Sequence, residues 1–352
     1  MIAADQPGSV QQGEEINLTA LNDYLIKSSA PVGSIVEYRQ FPGGYSNLTY
    51  LLSTATADYI LRRPPAGAAI KSAHDMGREF KVLSLLTKYY SKIPVPILHC
   101  ESPDIIGAPF YIMERLHGVI LRPSFAKEIH IAADEMRRIS ESVVDNLAAL
   151  HSLDIHRSGL IQLGKPDGYI KRQVEGWTRR YADAQTDSIA EMEELDAWLH
   201  QHQPEDSQPT LLHNDYKYDN IVLHKNCLPE IVGVLDWEMA TVGDPGMDLG
   251  ATLAYWAERN DSDLTKVFNI SWLPGNLTRK EVLNRYSEKT GRIIDQAVFF
   301  YVFGLYKNAV IAQQIYTRWK QGHSIDPRFG QLIHVIREIA RQATKSVEVN
   351  SL

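Results

Sequence analysis

The first third of the chain alternates apolar and polar residues in short runs that predict antiparallel strands. Three such runs follow one another, at residues 36–38, 48–52 and 59–62. Glycines separate the first two runs, and a Pro-Pro pair ends the third because proline cannot continue a strand pairing. The pattern predicts a three-stranded β-meander within residues 35–63.

The next segment changes to helical spacing. Apolar residues recur at intervals of three and four over residues 73–90, which predicts an amphipathic helix that Pro94 and Pro96 close. A further apolar strand is predicted at 110–113, followed by a connector at 114–118.

Beyond this connector the pattern is mostly helical. A long helix is predicted around 136–150, a charged helical segment at 169–200, and helices from the segment after Asp236 to the end of the chain. Two short strands are predicted around Asp215 and Asp236. The apolar run at 297–306 is too short to span a membrane, and its interruption by Lys307 and Asn308 indicates a buried helix.

These elements predict an α+β chain with two lobes. Residues 1–15 are polar and expected to be loosely ordered, residues 16–115 form a small N-lobe with an antiparallel sheet, and residues 116–352 form a larger, mostly helical C-lobe.

Composition narrows the class of protein. The chain has 352 residues, 44% of them hydrophobic and 22% charged, as in soluble globular proteins. The net charge of −7, carried mostly by the second lobe, argues against a nucleic-acid binder. Two cysteines without metal-ligand spacing, and no signal peptide or membrane span, predict a cytoplasmic protein. The oligomeric state is left open.

The most informative motif is H-x-D-x-K-x-x-N at residues 213–220, followed one strand later by an apolar-apolar-Asp sequence that ends at Asp236. Phosphoryl transfer requires a carboxylate beside the attacking hydroxyl, and an Asn and a second Asp to hold magnesium. Asp215 is therefore the candidate base, Lys217 the cation that meets the phosphate, and Asn220 and Asp236 the candidate metal ligands. The alternative is an acidic turn whose Asp and Asn serve only as turn formers.

A second pair is predicted in the N-lobe. Arg62, at the end of the third strand, stands where kinases place the cation that grips the nucleotide phosphates. Glu79 lies on the apolar face of the following helix, where a carboxylate needs a partner, so an Arg62–Glu79 pair is predicted. The alternative is a glutamate whose carboxylate reaches solvent at the edge of that face.

The remaining nucleotide-binding candidates lie beside this pair. The segment around Gly43 and Gly44 is expected to cover the nucleotide phosphates. The connector at 114–118 is expected to present backbone groups to the adenine. The full cofactor-binding set is Gly43, Gly44, Ser46, Asn47, Ile60, Arg62, Glu79, Met113, Glu114 and Leu116.

Other polar residues receive structural roles. His213 is expected to organise the loop, because the carboxylate two positions later already supplies a base. Asp244 and Asp248 are expected to cap the next helix and brace the loop. His151 and His156 lack neighbours at zinc-site spacing and are interpreted as structural.

With these motifs the chain resembles the aminoglycoside phosphotransferase/choline kinase family, whose fold is protein-kinase-like. The matching segments are 213–220, 235–238 and 243–249, and the N-lobe segments 43–47, 59–65 and 111–115 look closest to the kinase-like domain fused to acyl-CoA dehydrogenases. The resemblance covers residues 33–260 and implies phosphorylation of a small-molecule hydroxyl that depends on ATP and Mg2+. It also implies that the N-lobe binds the nucleotide and that the C-lobe carries the catalytic loop and the substrate-binding helices. It departs at Arg62, where lysine is usual, and at Asp-Trp-Glu, which replaces Asp-Phe-Gly.

Three functions remain open from the sequence: a small-molecule kinase, a nucleotide-binding module with little catalysis, and a protein kinase. The absence of an Ala-Pro-Glu motif after Asp236 disfavours the protein kinase. Aminoglycosides suit an acidic second lobe, whereas a hydroxy acid or hydroxyacyl-CoA suits the acyl-CoA dehydrogenase branch. ATP and GTP are not distinguished.

Overall fold

The computed structural model describes residues 6–42, 47–65, 75–324 and 326–352. In chain order its helices and strands are α1 (Leu18–Lys27), β1 (Glu37–Gln40), β2 (Leu48–Ser53), β3 (Asp58–Arg63), α2 (Met76–Leu86), β4 (Pro96–Cys100), β5 (Phe110–Glu114), α3 (Ala133–His151), α4 (Tyr169–Ala184), α5 (Ala190–Gln201), β6 (Thr210–Leu212), β7 (Ile221–His224), β8 (Cys227–Val234), β9 (Thr241–Gly243), α6 (Pro245–Tyr255), α7 (Asp263–Lys266), α8 (Arg279–Thr290), α9 (Ala297–Lys320) and α10 (Leu332–Val349).

The chain forms two compact units. The first comprises Met1–Ile120 and Ile221–Ala240, and the second comprises Leu121–Asn220 and Thr241–Leu352. The sequence placed residues 221–240 in the second lobe, but the β7–β8 hairpin belongs to the first unit. Val119 and Leu223 exchange backbone hydrogen bonds of 2.8 Å, and the Val234 N–H donates to the Lys92 carbonyl at 2.9 Å. These pairings attach the hairpin to the segment between α2 and β4 and to the segment that follows β5.

A five-stranded antiparallel sheet organises the first unit, in the order β1-β2-β3-β5-β4. The predicted meander is confirmed as β1 to β3, and the predicted strand at 110–113 is β5. Strand β4 was not predicted, because the prolines at 94 and 96 were interpreted as the end of a helix. It begins at Pro96 on the edge of the sheet, where a missing N–H disrupts the ladder least.

One face of this sheet packs against α1. Leu21 and Leu25 of α1 join Leu52 of β2 and Leu61 of β3 in a buried apolar cluster. The segment before α1 is also paired, contrary to the expectation of loose order for residues 1–15. Within its described part, Gly8 exchanges backbone hydrogen bonds with Gln40 at 2.8 and 3.1 Å, which extends the edge of the sheet at β1.

The second unit is built around α9, the helix predicted from the apolar run at 297–306. It extends over 24 residues and packs against α6 and α10. Gly250 of α6 and Gly304 of α9 permit close packing, because a Cβ on either glycine would overlap the backbone of the other helix. None of the helices that the structure describes has the length and apolarity needed to cross a bilayer.

The charged segment predicted to be helical at 169–200 consists of two helices. α4 ends before Gln185, whose backbone is extended, and α5 begins after Ile189, which is also extended. The break places α4 and α5 as separate elements that both pack on α9.

Candidate active site

A buried ion pair joins β3 to α2 in the first unit. The Arg62 Nη1 atom donates a hydrogen bond to Glu79 Oε1. Only 10% of the Arg62 side chain and 1% of the Glu79 side chain are exposed, so the glutamate does not reach solvent. Ile60 and Arg62 alternate with Leu61, which packs with α1, and this places Arg62 on the opposite face toward α2. The pair predicted from strand and helix periodicity is present.

The Arg62 guanidinium also faces the carboxylates that follow β8. Asp236 Oδ1 accepts from Nη1 and Nη2 at 3.3 and 3.2 Å, and Glu238 Oε2 lies 3.9 Å from Nη2. Glu79 Oε1 accepts a further bond of 3.2 Å from the Trp237 backbone N–H. One guanidinium therefore contacts three carboxyl groups, and a segment of β3 is tied to the residues after β8.

This arrangement keeps Arg62 charged. Burial alone would lower its pKa, but Glu79 and then Asp236 and Glu238 outweigh burial and hold the pKa well above its ordinary value. The cluster contains more carboxylates than cations, and Asp236 retains a side chain that is 33% exposed. Such a carboxylate can accept a divalent cation.

The other predicted nucleotide-binding residues of this unit lie along β3, β5 and the connector. Ile60 and Met113 are paired across β3 and β5 and expose only 8% and 7% of their surface. Glu114 ends β5 with an exposed side chain, and Leu116 packs over Gly233, where a Cβ would overlap its Cδ1. The backbone N–H of Glu114 is already bonded to the Val95 carbonyl at 2.9 Å.

The predicted phosphate-covering loop lies mostly outside the described residues. Gly43, Gly44 and Ser46 belong to this group, and their roles stay predictions. Asn47 is described and buried, and its Nδ2 donates to Glu238 Oε2 at 2.8 Å. Asn47 therefore bonds one of the carboxylates that face Arg62.

The second unit brings together Asp215, Lys217 and Asn220. Asn220 Nδ2 donates to the carbonyl and to Oδ2 of Asp215, each at 2.8 Å. Lys217 Nζ lies 3.1 Å from Asp215 Oδ1 and 3.0 Å from Oδ2. The spacing of two and five residues thus brings two side chains, those of Lys217 and Asn220, onto the Asp215 carboxylate, which an ordinary acidic turn does not require.

The surroundings keep Asp215 ionised. Burial would raise its pKa, but Lys217, Lys307 and His213 outweigh burial and lower it. The Lys217 ammonium is correspondingly stabilised: burial opposes its charge, whereas Tyr255 and Asp215 raise its pKa. The loop therefore presents an ionised carboxylate beside a buried cation.

A buried network braces this loop from α6 and α3. Asp248 accepts from the backbone N–H groups of His213 and Asn214 at 2.6 and 2.7 Å, and from His151 Nε2 at 3.1 Å. Asp244 caps α6 by accepting from the Gly246 N–H at 2.8 Å. The bracing and capping roles predicted for the two aspartates are confirmed.

Sequence reasoning did not connect two residues with this network. His151, interpreted as structural, does brace the loop: it links Asp248 to the Tyr286 hydroxyl, which lies 2.7 Å from its Nδ1. Lys307 of α9 donates to the Asn214 carbonyl at 2.7 Å. The only local signal for either was the position of Lys307, a charge that interrupts an apolar run.

The side-chain atoms that could bind a metal ion are oxygens. Among the residues that the structure describes, no three His, Cys, Asp or Glu side chains group closely enough to bind a metal alone. Magnesium takes few protein ligands, because phosphate oxygens and waters complete its shell. Both side-chain hydrogen bonds of Asn220 leave from Nδ2, and its Oδ1 accepts none from the described residues. Asn220 Oδ1 in the second unit and the Asp236 carboxylate in the first unit are each an oxygen of the kind that magnesium prefers.

An antiparallel sheet with a buried Arg–Glu pair, together with a helical unit that carries an Asp-Lys-Asn loop, defines a protein-kinase-like α+β fold of the phosphotransferase class. The family described as "Phosphotransferase enzyme family" matches residues 37–282, which is well over half of the chain. The chain belongs to this family and is a phosphotransferase.

Curated relatives place the chain near a particular branch. It is 36% identical to acyl-CoA dehydrogenase family member 11 of Rattus norvegicus over 311 residues, which cover 86% of this chain and 39% of the relative. It is 33% identical to family member 10 of Mus musculus over 326 residues, which cover 87% of this chain and 29% of the relative. The chain thus spans well under half the length of these relatives.

Solved structures agree on the fold. A candidate aminoglycoside phosphotransferase from Ralstonia eutropha JMP134 superposes with a TM-score of 0.77 at 27% identity, covering 94% of this chain and 99% of that chain. Spectinomycin phosphotransferase, solved with ADP and spectinomycin, gives a TM-score of 0.58 at 12% identity, covering 95% and 99%. The second likeness concerns the fold alone.

Proposed function

We propose that the chain transfers the γ-phosphoryl group of ATP to a hydroxyl of a small molecule. The observation that carries this proposal is the ionised Asp215 carboxylate, held by Asn220 at 2.8 Å and Lys217 at 3.0 Å. Asp215 accepts the hydroxyl proton as the acceptor oxygen bonds to the γ-phosphorus and the bond to the ADP oxygen breaks. Lys217 offsets negative charge on the transferred group.

The first unit supplies the nucleotide contacts in this proposal. Arg62 binds the phosphates, and its orientation is maintained by Glu79. Ile60, Met113, Glu114 and Leu116 contact the adenine, and the segment with Gly43, Gly44, Ser46 and Asn47 covers the phosphates. Asn220 and Asp236 would hold Mg2+, which neutralises phosphate charge when bound.

The acceptor is proposed to carry an anionic group. A pocket of about 430 Å3 lies along α4, and its lining comprises Arg172, Glu175, Gly176, Arg179 and Arg180. Three guanidinium groups against one carboxylate favour a hydroxy acid or hydroxyacyl-CoA over a polycationic aminoglycoside. The Arg180 guanidinium lies 4.5 Å from the Trp177 ring centroid, and this contact orients one of the three cations of the pocket.

The catalytic assignment is tested with Asp215→Asn. Loss of the base should reduce ATP-dependent phosphorylation by at least about 100-fold, while thermal unfolding and nucleotide binding change little. The matched control is Asp134→Asn on α3, whose carboxylate is 77% exposed, and it should keep wild-type turnover. Unchanged turnover in Asp215→Asn would contradict the assignment.

The acceptor is tested by measuring ADP release with hydroxy acids, hydroxyacyl-CoAs, aminoglycosides, choline and sugars, each with ATP or GTP. We expect an anionic alcohol to raise the rate above the rate with water alone. ADP release that no alcohol stimulates would favour a nucleotide-binding module, and efficient transfer to a mixed-protein panel would favour a protein kinase. Arg180→Gln should raise KM for the anionic acceptor without changing KM for ATP.

A further inference from the structure

Lys307 is a buried cation in an otherwise apolar part of α9. It exposes 4% of its surface, and its neighbours Tyr306 and Asn308 are also buried. A buried ammonium is unfavourable unless it is hydrogen-bonded and faces opposite charge, so its position requires an explanation.

The ammonium is directed at the backbone of the catalytic loop. Lys307 Nζ donates to the Asn214 carbonyl at 2.7 Å and lies 5.7 Å from the centroid of the Trp177 ring. Asn214 has a φ of +66°, a left-handed conformation that asparagine adopts more readily than most residues other than glycine. The residue directly before Asp215 is thus held by Asp248 at its N–H and by Lys307 at its carbonyl.

We propose that Lys307 is a positioning residue for Asp215, fixing the Asn214 carbonyl and supplying a buried positive charge beside the base. This inference rests on the proposed function, in which Asp215 accepts the hydroxyl proton. Lys307 acts through the loop and is assigned no contact with substrate.

The charged neighbours of Lys307 come from three elements. Asp215 and Lys217 face it from the loop, Asp248 from α6 and Arg180 from α4. Burial is the largest influence and lowers its pKa to about 8, although Asp215 and Asp248 act in the opposite direction. The ammonium would therefore lose its proton at mildly alkaline pH, and the loop would lose both the cation and a charge-assisted hydrogen bond.

The kinetic test compares Lys307→Met and Lys307→Arg with wild type between pH 6.5 and 9.5. Lys307→Met should lower kcat on the order of 100-fold, since a misplaced catalytic group costs about that much, with little change in KM for ATP. Wild-type kcat should decline above about pH 8, and this alkaline limb should be absent in Lys307→Met. Lys307→Arg should recover part of kcat, because the charge is retained. The control is Lys320→Met, which removes an exposed lysine of the same helix paired with Asp187.

A second measurement does not depend on turnover. In protein with 13C-labelled lysine methylene groups, the Lys307 signal should titrate near pH 8, and Asp215→Asn should move its midpoint to lower pH because a neighbouring anion is lost. A midpoint that does not respond to Asp215→Asn would overturn the coupling. The positioning role would be overturned if Lys307→Met kept the kcat of wild type and its decline at alkaline pH. That result would leave the proposed function standing as long as Asp215→Asn abolishes transfer. Absence of any transfer in wild type would overturn the proposed function, and the labelled signal would still decide the coupling.

Discussion

Replacing Glu79 separates what the buried ion pair contributes to stability from what it contributes to nucleotide binding. Glu79→Leu leaves the Arg62 guanidinium buried without its main partner, and breaking such a pair typically costs about 3–5 kcal/mol. Arg62 keeps Asp236 at 3.2 Å and Glu238 at 3.9 Å, and Asp236 is partly exposed. We therefore expect the lower end of that range, about 3 kcal/mol of unfolding free energy.

The double variant Arg62→Met/Glu79→Leu removes both charges. Apolar replacement of a buried ion pair is often neutral or stabilising, so most of the lost stability should return, to within about 1 kcal/mol of wild type. Nucleotide affinity should not return, because the proposed phosphate-binding cation is absent from the double variant. Stability and binding are thus expected to change independently.

Stability is measured by urea unfolding, with hydrogen exchange at β3 and α2 reporting on the first unit, and nucleotide affinity is measured by calorimetry. The reasoning fails if Glu79→Leu costs under about 1 kcal/mol, or if the double variant is as unstable as the single one. Retention of wild-type ATP affinity in the double variant would remove Arg62 from the proposed phosphate contacts.

Three further predictions concern the second unit. Lys307→Met should raise the unfolding free energy at pH 7 by about 2 kcal/mol. The lowering of the Lys307 pKa from 10.5 to about 8 means that the charged lysine destabilises the folded wild type by about 3 kcal/mol, and the variant removes this cost but loses a hydrogen bond of about 1 kcal/mol. Between pH 8 and 10.5 the lysine is neutral in folded wild type but charged in the unfolded chain, so wild-type stability rises with pH and the advantage of the variant shrinks. Denaturation of both proteins at pH 7 and pH 10 measures this change. Asp248→Asn should lower stability by about 2 kcal/mol and reduce kcat, because one carboxylate accepts from two loop N–H groups; unchanged kcat would argue against bracing. Thr278→Ala should cost about 1 kcal/mol through the capping box of α8 without altering kcat, as unfolding and transfer assays can check.

The parts of the fold that followed from sequence are those with a strong local pattern. Strands β2 and β3 and helix α3 were predicted from alternation or helical spacing, and β5 and α9 from short apolar runs. Helix α1 was missed because its ten residues give only a short apolar repeat, with Leu21 and Leu25 its buried positions. Strand β4 was missed because its first residue is a proline, which was interpreted as the end of a helix, whereas the first position of an edge strand tolerates proline.

The candidate site likewise contains residues that could be predicted from local sequence and residues that could not. Asp215, Lys217 and Asn220 lie within six residues, so their grouping could be inferred from spacing. The braces come from far along the chain: Asp248 is 35 residues from His213, and Lys307 is 93 residues from Asn214. No local pattern encodes such a contact. The isolated lysine in the apolar run of α9 indicated a buried charge, but its partner became apparent only in the fold.

The departure from lysine at position 62 has a structural reason. A guanidinium offers several donors in a plane, and Arg62 uses Nη1 and Nη2 to contact Glu79 and Asp236 at once, with Glu238 at 3.9 Å. A lysine ammonium is a point charge and would not reproduce this shared geometry. Arginine at this position therefore links β3, α2 and the residues after β8 through a single side chain. Because the two Nη atoms of Arg62 both bond Asp236, the position of that carboxylate depends on arginine, and an Arg62→Lys exchange is not conservative here.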